Sequence, residues 1–536
     1  PASQRILSAS QSWQVNNGTA TLELGAVDVQ DWSSITLSAH LTSTSLNATN
    51  GADVPDSVAF YVDLDGAGFP LDPDISVSGN SNRRYGYGAP GVASTTAGTP
   101  VTYICNFGGN GIDYATVNIT IPNGTNTVAL RVIGKNNDAN EVWNLDNIQV
   151  SGTLCSPIYY SRSNGSETTG TWSTSRTGAP APGVVTFTKN ATMVIQATHT
   201  VTSTSNATID LRDLDVETGG TLDLAGNGTV SINGPSFNVD GTLTATDDAF
   251  NILGDALTTI SGATSSIDVE DLTLDGFGAQ VTTTNLRIFG TLQLDNGNFD
   301  ANGKNVVLAS TATGTGRLGP VDPAASYTGS IRMERYIPAG VTDWRLLCSP
   351  VQGRTVYDWT DDFYTAGFPG SYYPNFIVNG NPWPSVRMYD ETVAGGSNAG
   401  LIGVSSTAEP LTPGRGFTAW SGATLTSTPA FTIDVRGVPV IANTPFSIPL
   451  SYTSTGNPGA DGLNLVGNPL PSPIDFTDVT LTNVASNYYI YDPGASANVG
   501  WDEVTQIGTG GCNGNIQSSQ GFWLTATAAS PSATLD

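Results

Sequence analysis

Histidine is almost missing from this chain of 536 residues, which has only His40 and His199. A Ser-His-Asp or Cys-His centre needs a histidine beside its nucleophile. His40 falls on the polar side of an alternating run. His199 shares the parity of Met193, Ile195, Ala197 and Val201, which predicts an interior, hydrogen-bonded ring. Charge is also scarce, at 12% of residues, and it is lopsided: 19 Lys and Arg against 46 Asp and Glu give a net charge of −27. Such a surface repels nucleic acid and anionic lipid. No apolar run approaches the ~20 residues of a membrane-spanning helix. Gly-x-Ser-x-Gly, His-Glu-x-x-His, P-loop and dinucleotide signatures are lacking, and Lys189, Arg212, Arg287 and Lys304 form no basic cluster. No catalytic residue is assigned, and the chain is not expected to be an enzyme.

Cysteine is sparse too, with Cys105, Cys155, Cys348 and Cys512 and no Cys-x-x-Cys pair, so zinc and thioredoxin-like readings are weak. Two lie in the first third and two in the last. The expectation is a pair of disulfides, Cys105–Cys155 and Cys348–Cys512, with four buried free thiols as the alternative. Paired cysteines would imply an oxidising, extracellular setting.

Glycine (61 residues), proline (31), Thr, Ser and Asn are plentiful instead. With long Ala/Glu/Lys/Leu helices missing, this is an all-β composition. A chain this long exceeds a single core, so several domains are expected. The stretch from about Val184 to Leu318 is loosely periodic. "IDLRDLDV" at Ile209 returns as "IDVEDLTL" at Ile267, and Gly-Thr-Leu recurs at Gly220, Gly241 and Gly290. Apolar residues alternate with Thr, Ser and Asp, and Gly or Asn breaks each run, as in short strands cut by turns. The spacing suits coils of roughly 20–25 residues, a β-solenoid whose ends need caps.

Residues 1–154 alternate as an antiparallel sandwich does, through Ile35–Leu41, Val58–Leu64, Val117–Ile121 and Val128–Val132. "DWSSITLSAHL", "DSVAFYVDLDGAG" and "NEVWNLDNIQVSG" resemble jelly-roll modules of the carbohydrate-binding type in secreted bacterial proteins. Asp63 and Asp65, with Gly68 and Asp74, match four positions of a calcium loop, but Ala67 and the lack of flanking helices break the EF-hand match. A calcium ion on Asp63 and Asp65 is one candidate. The resemblance implies another, on Glu141 and Asp146; solvated turn carboxylates are the bland alternative. "RRYGYG" offers Tyr85 and Tyr87 to a sugar face, or is an ordinary Gly-rich loop.

Residues 155–328 are the expected solenoid segment; its opening, "YYSRSNGSETTGTWS" followed by "VIQATHTVT", resembles the start of β-helical regions in secreted surface proteins of the Bacteroidota. From 329 to 536 the texture changes. "GSIRMERYIPAGVTDWRLLCSPVQGRTVYDWTDDFYTAGFPGS", "LNLVGNPLPSPIDF", "YYIYDP" and "SSQGFWLTAT" resemble a module of large Bacteroidota proteins exported by the type IX secretion system. The likeness covers almost all of residues 330–527. Cys348 replaces an expected Ser, which with Cys512 fits an added disulfide. Pro1-Ala-Ser-Gln reads as a mature N-terminus. The resemblance implies a secretion-signal domain after Asp536, either cleaved or beyond a supplied segment. Trp344, Trp359, Trp420, Trp501 and Trp523 crowd this third as core anchors, or as a platform for glycans.

The expected architecture is an N-terminal jelly roll, a central solenoid and a C-terminal β-sandwich-rich module. The expected function is that of a secreted, cell-surface structural or adhesive protein, with the type IX machinery as its partner during export. As the self-assembling subunit of a fibre or sheath it would partner itself. The stretch with Arg5, Ile6, Leu7, Trp13 and Val15 is a candidate donor strand for that assembly, or simply the first strand of its own jelly roll. A glycan-binding protein with a calcium-supported jelly roll is the second reading. A polysaccharide-degrading enzyme is the third, and would need converging acids and bases on the solenoid flank.

Overall fold

The structure, a computed structural model, describes all residues except 1–4, 9–10, 48, 107–111, 170, 181–184, 246, 425–426, 442–444, 458 and 536. The expected solenoid start at Val184 and part of the Arg5–Val15 stretch therefore lie outside the described residues. The chain is all-β and divides into two units, Pro1–Ser156 and Pro157–Asp536.

In the first unit two five-stranded sheets enclose one apolar core. One sheet contains Trp13–Val15, Trp32–Ser45 and Glu141–Leu154; the other contains Gly18–Asp28, Ser57–Leu64 and Thr127–Asn136. The period-two alternation does what it dictates: Ile35, Leu37, Ala39 and Leu41 from the first sheet meet Val58, Phe60 and Val62 from the second. Glu141–Leu154 pairs antiparallel with Trp32–Ser45, which sets Glu141 opposite Ser45.

In the second unit the solenoid winds as three parallel ladders. Along one, Leu214 lies opposite Phe237 and Phe237 opposite Ile260. A second steps through Thr208–Leu211, Thr229–Ile232, Ala249–Ile252 and Asp271–Leu274. The third includes Thr200–Thr202, Thr221–Leu224 and Thr242–Ala245. Outward side chains bond from coil to coil: Thr192 to Asp213, Asn238 to Asp215 and Gln280 to Asp300, spanning 21, 23 and 20 residues. The Gly-Thr-Leu repeat marks a corner. A Cβ on Gly241 would stand 2.3 Å from the carbonyl oxygen of Gly220 in the coil before, so only glycine lets the backbones approach there.

The first coil is closed by its own unit. Trp172–Ser173 runs antiparallel against Ile158–Ser161, and Trp172 is fully buried edge-on to Phe187 at 4.9 Å. At the other end Ile331–Ile337 pairs in parallel with Asn305–Leu308 and antiparallel with Phe431–Pro439. That strand converts the solenoid ladder into the C-terminal module, and one apolar core runs from Trp172 through the coils to Trp359, Phe368 and Phe417. A separate core around Phe476, Tyr488 and Phe522 holds the last five-stranded sheet. His199 corrects its expected placement: the chain turns at Gln196–His199, so the ring is half-buried at a corner, with Nδ1 2.9 Å from Ser161 Oγ.

Candidate functional site

The four cysteines are free, which corrects both expected disulfides. Cys105 is buried beside the Tyr85 hydroxyl, while Cys155 is exposed at the end of the unit's last strand. Cys348 is buried with its thiol 2.9 Å from the Asn468 carbonyl oxygen, and Cys512 packs half-buried in the neighbouring core. Proximity within a third of the sequence did not bring either pair of sulfurs together into a bridge.

Tyr85 and Tyr87 are also buried, at 4% and 7% exposure, so neither presents a face to a sugar. Tyr85 packs edge-on to Trp143 and donates to the Tyr114 carbonyl oxygen; Tyr87 donates to the carbonyl oxygen of Arg5. The candidate donor strand is committed to its own sandwich. Trp13 and Val15 pair with Leu145 and Trp143, Arg5 donates to the Ser45 carbonyl oxygen, and of the five candidate residues Ile6 alone is exposed. Asp146 accepts from the backbone N–H of Leu7 at 2.8 Å and of Ser8 at 3.3 Å, which ties that segment down. Burial works to raise its pKa, but these donors and the Asn147 N–H hold it below the ordinary carboxylate range.

Of the carboxylates expected to hold calcium, Asp63, Asp65 and Asp146 are engaged by neighbouring backbone donors. Asp65 accepts from the N–H groups of Thr127 and Asn126, which lower its pKa, and Asp63 accepts from Gly68 N–H. Both carboxylates serve their turn. Glu141 does not meet Asp146; it meets Asp53 and Asp56 instead. Among the described residues this is the one cluster of three potential metal ligands, with an atom from each within 4.8 Å of the others. Asp56 accepts from Asn137 N–H at 2.9 Å and from Asp53 N–H at 3.0 Å. Burial first, then the proximity of Asp56 and Asp53, pushes the Glu141 pKa up to about 8. The pKa of Asp56 is raised by burial. Asp53 and Asp56 carried no expectation; the Asp-x-x-Asp spacing just before an alternating strand was the available signal.

The tryptophans of the C-terminal module divide. Trp359 is a core anchor, whereas Trp344 and Trp523 are half-buried and line a cleft of about 620 Å³ with Arg387, Asn398, Tyr489 and Tyr491. Trp420 lines a second cleft of about 530 Å³ with Tyr364, Tyr373, Phe376 and Trp383. Trp501 is half-buried and donates to Glu503. Trp344, Trp383 and Trp420 pack mutually with centroids 5.5 to 5.7 Å apart. The Arg387 guanidinium lies 4.5 Å from the Trp344 ring centre and 5.6 Å from that of Trp383. Its Nε donates to the Pro384 carbonyl oxygen, and burial lowers its pKa. Among the described residues it has no carboxylate partner, in contrast to Arg332 on Asp434 or Arg354 on Asp358. Aromatic walls with one partly desolvated cation and the amides of Asn398 and Asn498 suit a flat, polar, anionic ligand.

The architecture is that of an all-β protein built on a β-solenoid. Comparison with known families, curated proteins and solved structures gives no match for this chain.

Proposed function

We propose that the chain is an extracellular, surface-associated structural protein of adhesive type, in which the solenoid is the stiff element. The observation that carries this reading is the uninterrupted core from Trp172 through every coil into the C-terminal module. Stacked coils share their apolar faces only with neighbours, and here the last coil shares its ladder with the module through Ile331–Ile337. A load applied to the module is therefore borne by backbone ladders along the solenoid. Export and surface location rest on the resemblance of residues 330–527 to type IX-secreted proteins. The free cysteines add no support for an oxidising compartment. Strand donation by the N-terminal segment is disfavoured by its pairing within its own sheet, so any homopolymer would use other surfaces.

Single-molecule stretching tests the stiff-element reading. Residues 157–536 should resist as one cooperative unit before stepwise coil release. Unfolding of the C-terminal module at low force, with the solenoid intact, would overturn it.

The Trp344–Arg387–Trp523 cleft favours a second reading, glycan recognition. Acidic saccharides are the class it suits, because the carboxylate of a uronic acid would satisfy the unpaired guanidinium while sugar faces stack on the indoles. On a glycan array the intact chain should prefer acidic over neutral glycans, and W523A and R387A should each reduce binding at least tenfold. Equal signals for wild type and both variants would remove the cleft from the adhesive surface.

A further inference from the structure

The cluster of Asp53, Asp56 and Glu141 poses an electrostatic problem that the rest of the first unit does not solve. Asp56 and Glu141 are 1% and 2% exposed. Three carboxylates converge there, and the charges that act on Glu141 are all acidic: Asp56, Asp53 and Asp138. Two desolvated like charges in contact cost several kcal/mol unless a proton or a cation intervenes. Glu141 and Asp56 hydrogen-bond each other through one carboxyl proton, but the remaining donors leave part of the cluster open. Asn137 N–H and Asp53 N–H serve Asp56, and Asn137 Nδ2 reaches Asp53 at 3.4 Å. Glu141 Oε2, fully enclosed, receives no hydrogen bond, and neither does Oδ1 of the neighbouring buried Asn136.

We propose that Asp53, Asp56 and Glu141 form a binding site for a hard divalent cation of the calcium type. The geometry fits such an ion. Oxygens on opposite sides of one calcium stand at most about 5 Å apart, given Ca–O distances of 2.3–2.6 Å, and the three ligand atoms lie within 4.8 Å of one another. An all-oxygen, all-carboxylate donor set selects calcium, magnesium or manganese over zinc or copper. Two largely dehydrated ligands favour calcium, since magnesium gives up its waters reluctantly. The half-buried Asp53 leaves a side from which water completes the coordination shell.

The ion would join two pieces of chain distant in sequence. Asp53 and Asp56 precede the strand Ser57–Leu64, and Glu141 begins the strand Glu141–Leu154 of the other sheet. Its role is to tie the two sheets at one end of the sandwich. The site goes beyond the structural and adhesive reading, and stands or falls independently of it.

The test is calorimetry of the intact chain, stripped of metal and then titrated with calcium chloride, following the transition of the first unit. Saturating calcium should raise that midpoint by roughly 5–10 °C. E141Q should abolish the shift. In chelator the same variant should melt no lower than the wild type, because it removes repulsion as well as a ligand. D53N, at the half-buried edge where folding is tolerant, should weaken calcium binding at least tenfold in equilibrium dialysis. D63N should leave the response intact. An unchanged wild-type midpoint at millimolar calcium, or a full calcium shift surviving in E141Q and D53N, overturns the proposal in favour of carboxyls that share protons.

Discussion

Phe237 and Phe250 stack inside the solenoid with ring centres 5.1 Å apart and planes 14° from parallel, each contributed by a different ladder. Both are fully buried, so the pair fills the width of the coil where smaller residues would leave a void. Phe250→Ala should cost about 3–5 kcal/mol in urea unfolding of the second unit, and a double-mutant cycle with Phe237→Leu should reveal coupling of about 0.5–1.5 kcal/mol. A loss below ~1 kcal/mol would mean that the coils close up around the missing ring.

Gly241 sets how closely successive coils approach. Its missing Cβ would stand 2.3 Å from the Gly220 carbonyl oxygen and 2.5 Å from that of Glu217, backbone atoms of the preceding coil's turn that already accept from Thr242 N–H and Gly220 N–H. Gly241→Ala should therefore destabilise the second unit by about 1–3 kcal/mol. Gly314, with open space where a Cβ would go, is the matched control: Gly314→Ala should be neutral or slightly stabilising. Equal thermal midpoints for the two variants would show that the corner relaxes.

The solenoid was legible in the sequence because its determinants are local. Alternation fixes which side chains enter the coil, and the glycine of Gly-Thr-Leu answers to a carbonyl one coil away. The sites were less legible because their determinants are not local. Glu141 reads beside Asp146 along the chain, yet the register opposite Ser45 carries it to the loop with Asp53 and Asp56. Tyr85 and Tyr87 sit in a Gly-rich segment that looks like a surface loop. Their burial follows from Trp143 and Arg5, which the chain brings in from either end. Arg387 gave no signal, since an unpaired cation is recognised only once the carboxylates of its neighbours are placed.

The thiols give a direct check on the cysteine arrangement. Cys155 is exposed, whereas burial pushes the Cys105 thiol up to about 11 and the Cys348 thiol up to about 12. Thiolate is the reacting form, so a maleimide should label Cys155 alone within minutes in the native protein. Cys512, half-buried and with its pKa raised by burial, should follow slowly. In denaturant without reductant all four should label. Fewer than four labels there would restore a disulfide.

Asp362 gives the second unit a pH dependence of defined sign. Burial first, then the neighbouring Asp434 and Asp361, raise its carboxyl to about 8, against the lowering influence of the Asp434 N–H it accepts from and of Arg332. In the unfolded chain the same group titrates near ~4. The folded state thus holds the proton more tightly, so the contribution of Asp362 to stability is complete below ~4. It declines as pH rises toward 8 and is flat beyond. Asp434, also raised by burial, acts in the same direction. Asp362→Asn mimics the protonated carboxyl and keeps an oxygen for the Asp434 N–H. It should match the wild type at about pH 4 in urea unfolding and exceed it increasingly as pH rises, by on the order of 1–2 kcal/mol or more at pH 9. A wild-type slope unchanged by the substitution would show that Asp362 is already ionised at neutral pH, with Arg332 compensating its charge.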